Sequence, residues 1–83
     1  MTAYELATRI DNFGYMNDTY EYNDQIDPEQ RESNILGIAK FLEEKDDVVI
    51  AYLNRYADED SPEETMIEAM NLIQMVKKFW KEN

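Results

Sequence analysis

Carboxylates recur at every third position from Asp18 through Glu21 and Asp24 to Asp27, with Tyr15, Tyr20 and Tyr22 threaded among them. Three kinds of chemistry suit such side chains: chelation of a hard cation, general acid–base catalysis, and attraction of a positively charged partner. Calcium can be checked directly. An EF-hand loop needs oxygen ligands at positions 1, 3 and 5, glycine at 6 and glutamate at 12. Counted from Asp18, positions 3, 5 and 6 are Tyr20, Tyr22 and Asn23, and beyond Asp18 itself only Glu29 at position 12 fits. The motif fails, and no metal or other cofactor is expected.

Catalysis is short of parts. The chain has no histidine and no cysteine, the commonest general base and the best thiol nucleophile. Ser33 and Ser61 have no activating neighbour in sequence, and Ser61 reads as a helix cap. A carboxylate pair could serve a glycosidase, but acids are so abundant here that a pair carries no information. The expectation is a protein that is not an enzyme.

Attraction of a basic partner remains. Tyrosine gives large contact area at low entropic cost, and carboxylates beside it can meet Arg and Lys. Acids three apart would climb ~4.5 Å per step in a helix and ~10 Å when extended. DNA carries one charge per ~3.4 Å of axis on each strand. A surface joining this stretch to "EEKDD" (43–47) and "DEDSPEE" (58–64) could therefore approximate a phosphate array. Tyr15, Asp18, Tyr20, Glu21, Tyr22, Asp24 and Asp27 are the candidate partner-binding residues. The plainer reading makes the same stretch a solvated connector between two helices.

The overall charge points the same way. Nineteen acids against eight bases give −11 over 83 residues. Residues 1–76 hold 18 acids and five bases, whereas "KKFWKEN" holds three bases and one acid. Such a balance opposes direct binding to nucleic acid, which needs Lys and Arg to displace counterions, and to acidic membranes. A basic protein is the natural partner, although acidity also serves solubility alone. The opening "MTAYELATRIDNF" bears Glu5, Arg9 and Asp11, unlike a secretion signal or a membrane span. The expected location is cytoplasmic.

The elements that must position these residues read as helices. Two glycines and two prolines leave few sharp turns, while 43% hydrophobic content suffices for one small core. "TAYE" is a capping box opening a first helix, with Ala3, Leu6, Ala7, Ile10 and Phe13 on one face and Asn12 and Gly14 marking its end. Asp27-Pro28 opens a second, whose stripe is Ile35, Ile38, Ala39 and Leu42, with Leu36 and Phe41 to the sides. "VVIAYLNRYA" starts with β-branched residues, yet Val49, Tyr52, Leu53 and Tyr56 keep helical spacing. Ser61-Pro62 restarts the chain into the last helix, where Met66, Ala69, Met70, Ile73, Val76 and Trp80 form one stripe. Leu72, Met75 and Phe79 form another beside it.

An apolar arc this wide suggests a helix packed on two sides. A homodimer through Met66, Met70, Met75, Phe79 and Trp80 follows as a second interaction expectation. Methionines at helical spacing are otherwise ordinary core.

Over "YELATRIDNFGYMNDTYEYND" (4–24) the chain resembles the opening segment of an uncharacterised domain family from longer polypeptides of conjugative elements in gut Firmicutes. The likeness covers about a quarter of the chain, through "ELATRIDNF" and the tyrosine-acid pattern. It implies a mobile-element setting and antagonism of host defence by nucleic-acid mimicry, and it transfers no catalytic residue.

The sequence thus predicts one all-α domain, a small bundle of three to four helices near 3–13, 28–45, 48–57 and 62–81. Its expected core includes Leu6, Ile10, Ile35, Ile38, Leu42, Leu53, Met70, Ile73 and Val76.

Overall fold

Thr2 and Glu5 close the expected capping box: the Glu5 amide donates to Thr2 Oγ1 at 3.1 Å, and the Thr2 amide to Glu5 Oε1 at 2.9 Å. From it the computed structural model, which describes residues 1–17 and 27–82, builds helix α1 (Ala3–Asn17). The helix does not end at Gly14. That glycine is buried within α1 and does not take a positive φ. The helix runs on at least to Asn17, whose side-chain Nδ2 donates back to the Phe13 carbonyl at 2.7 Å.

Helix α2 (Pro28–Glu43) starts as the sequence predicts, with Asp27 Oδ1 accepting from the Glu29 amide at 2.9 Å and Pro28 in the first turn. It stops two residues before the expected end. Lys45 takes φ 55°, its amide donates to Leu42 O at 3.2 Å, and the Asp46 amide donates to Phe41 O at 3.0 Å. This is a Schellman stop with lysine where glycine is usual. Asp46 Oδ1 then accepts from the Val48 amide at 3.0 Å, opening α3 (Val48–Asn54). The β-branched run is therefore helical, and residues 55–57 follow as a tighter turn with i→i+3 bonds. Helix α4 (Glu63–Glu82) begins one residue past the expected start, with the Met66 amide donating to Pro62 O at 2.9 Å.

The four helices form an all-α bundle, with no strand among the described residues. Helix α1 packs chiefly on α2 and also on α4, α3 packs on α4, and α2 and α3 touch only lightly. The fold measures 35 × 33 × 18 Å, about two helix diameters thick. Leu6, Phe13, Leu42, Leu53 and Val76 are its largest fully buried side chains, joined by Ile10, Ile35 and Ile73. Ile38 is half-buried, and Met70 departs from expectation with 50% of its surface exposed. Two polar contacts fix α4: Thr65 Oγ1 donates to Asn17 Oδ1 at 2.8 Å, and Trp80 Nε1 to Leu42 O at 2.8 Å.

Candidate functional site

Because α2 and α3 barely touch, a groove of about 430 Å³ opens between them over α1. Ile10, Asp11 and Gly14 of α1 border it. One wall is the α2 face carrying Ser33, Asn34, Gly37, Ile38 and Phe41, and the other is Val48, Val49 and Tyr52 of α3. The α2 face runs from Ser33 to Phe41, eight steps of the helix or ~12 Å at the helical rise. Beneath the α3 wall, Tyr52 meets Tyr56 edge-on at 5.6 Å, and Tyr56 meets Phe13 edge-on at 5.4 Å. These aromatic contacts hold α3 against the end of α1.

Gly37 stands out in this wall. A β-carbon built there meets nothing within 4 Å, and the backbone is ordinary helix. Glycine in a helix interior is unfavourable relative to alanine, and no internal packing uses the missing side chain. Phe41 and Val48, at the same end of the groove, remain 40% and 46% exposed. The turn Glu43–Asp47 joins the two walls there and carries four acids and one lysine.

The single buried acid among the described residues lies at the edge of the groove. The Asp11 side chain is 4% exposed, and its Oδ2 accepts from Arg31 Nε at 3.1 Å and Nη2 at 2.9 Å. Arg31 Nη2 also donates to Asn12 Oδ1 at 2.6 Å, and the guanidinium lies 4.7 Å from the Tyr15 ring centroid. Every other described acid is exposed. Apart from Asp11–Arg31, the described residues contain one ion pair, Lys78–Glu82 at 4.0 Å. The acidic surface is thus left almost wholly uncompensated by the chain itself.

Among the described residues, two surface groups titrate away from their ordinary ranges. Tyr4 donates to Glu32 Oε2 at 2.7 Å, and this bond, with some desolvation and the nearby negative charge, raises the phenol above 10.0. The Thr2 amide, then the Thr2 hydroxyl, hold the Glu5 carboxyl below its usual range.

The residues singled out by sequence are distributed unevenly. Tyr15 is half-buried under Arg31, and Asp27 is occupied as the α2 cap. Asp18, Tyr20, Glu21, Tyr22 and Asp24 lie outside the described residues. Met66, Met75, Phe79 and Trp80 are half-buried, the last three packed against the core, and Met70 is exposed. No cluster of three metal-ligating side chains occurs among the described residues, and no described helix is long and apolar enough to cross a membrane. The groove itself escaped the sequence reading, although Gly37 inside a helix and the off-stripe Phe41 were its visible signals. No protein-family model, curated protein or solved structure matches the chain.

Proposed function

We propose that this protein is a non-enzymatic interaction module whose acidic surface binds a basic protein. The observation that carries this reading is the uncompensated charge: fifteen of the sixteen described acids are exposed, and of those only Glu82 is in an ion pair. An acidic field of this kind speeds encounter with a cationic partner and repels anionic ones. The lack of histidine and cysteine in the chain supports a role without catalysis. The finer version makes the partner a nucleic-acid-binding defence protein met by a mobile-element product. That version rests on the acid spacing of residues 15–29 and on the family resemblance.

The test is the association rate with a Lys/Arg-rich protein, measured across a salt series. Fast association at low salt that falls as screening increases is expected. No binding at low salt, or binding indifferent to salt, overturns the reading.

Self-association through α4 is the second reading, favoured by the exposure of Ile67 and Met70, 47% and 50%. Phe79 and Trp80, which would have anchored such a dimer, pack against this chain's own core. Sedimentation at high salt, where charge repulsion is screened, separates the two readings.

A further inference from the structure

We infer that the groove between α2 and α3 seats a cationic amphipathic helix of the partner, its backbone brought close to the wall at Gly37. The inference rests on the basic-partner reading and adds the site and the form of the occupant.

The groove has the features that helix-in-groove recognition uses. Its walls are Phe41, Ile38, Val48, Val49 and Tyr52, and Phe41 and Val48 remain exposed in the absence of a partner. Its length, ~12 Å along α2, matches about two turns of a helix. Gly37 forms a notch midway along the α2 wall, with open space where a side chain would stand. A residue without a β-carbon lets another backbone approach closely, and nothing inside the chain exploits that approach here.

Charge selects the occupant. The Glu43–Asp47 segment joins the two walls just beyond Phe41 and Val48 and carries a net −3, from four acids and one lysine. At the groove's edge, the charge of Arg31 is already engaged by Asp11. A second copy of the chain would bring −11 to this site, and residues 18–26 of the same chain would bring three acids and no base. Both are disfavoured by repulsion, whereas a helix with an apolar face and flanking Lys or Arg satisfies walls and rim together.

A short leucine–lysine peptide with helical periodicity and its scrambled isomer serve as probes, followed by backbone amide shifts and by affinity. The periodic peptide should bind more tightly, perturb Gly37, Phe41 and Val48, and become helical. Gly37→Leu should weaken it by about tenfold or more while leaving capture of the scrambled peptide unchanged. Gly37→Ala should raise the Tm of the free protein yet still weaken the periodic peptide, a combination that general loss of structure cannot produce.

Equal binding of both peptides, with Gly37→Leu without effect, overturns the groove inference and leaves the basic-partner reading standing. Failure of both peptides to bind at low salt overturns both readings. A Gly37→Leu protein whose sedimentation shifts from dimer to monomer identifies a second copy as the occupant and overturns the inference. Groove amides that shift on Tyr20→Ser or Tyr22→Ser without peptide identify the chain's own segment, with the same consequence.

Discussion

Asp11 and Arg31, twenty positions apart, are joined through one carboxylate oxygen that accepts from two guanidinium nitrogens at 3.1 and 2.9 Å. The pair ties α1 to α2 across the long connector. Its two halves are unequally placed, because the Asp11 side chain is 4% exposed and that of Arg31 is 29%. Arg31→Met leaves a buried carboxylate without its cation and should cost about 3 kcal/mol. Asp11→Asn keeps an acceptor for Arg31 and should cost about 1–2 kcal/mol. Urea unfolding of the two variants checks the order, and equal losses would refute it.

Lys45 holds a left-handed backbone that glycine adopts without strain. Lys45→Gly should therefore stabilise the protein by about 0.5–1 kcal/mol, even though it removes a cation from an acidic turn. Lys45→Val should destabilise it, because β-branching makes this conformation worse. A lower urea midpoint for the glycine variant contradicts the assignment.

The Thr2–Glu5 capping box makes stability depend on acid. Hydrogen bonds from Thr2 lower the Glu5 pKa in the folded state. The contribution is therefore complete above the unfolded value and is lost as pH falls through the folded one. Wild-type protein and Glu5→Gln should differ most near neutrality and converge below pH ~4, where the unfolded carboxyl is already protonating. Tyr4 runs the opposite way: its raised pKa means the contribution is complete below 10.0 and is lost as pH rises through the folded value. Tyr4→Phe should thus converge with wild type only in strong alkali. Thermal unfolding across pH distinguishes these slopes.

Met70 and Ile73 lie three residues apart on α4 with opposite fates, one half exposed and the other 7% exposed. Met70→Gln should change stability by no more than about 0.5 kcal/mol. Ile73→Ala should cost about 2–4 kcal/mol through lost burial and the cavity left behind. A large loss at Met70 would show that it is covered in solution.

What the sequence determined by itself was local. The helix starts at Thr2–Glu5 and Asp27–Pro28 were legible because a cap is made between residues two or three apart, whatever surrounds them. The stripes of Leu6–Ile10 and Ile35–Leu42 were legible because α1 and α2 each offer one face to the core. Tertiary structure decided what periodicity leaves open. Gly14 reads as a stop, but it is buried against the rest of the bundle and α1 continues through it to Asn17. The apolar arc of α4 is too wide for periodicity to say which edge is covered, and the placement of neighbouring helices turned Trp80 inward onto Leu42 and left Met70 out. Tyr15 became a platform for Arg31 only because α2 folds back beside α1. The groove at Gly37 arises from two helices held slightly apart, and a spacing between helices is written in no single stretch of chain.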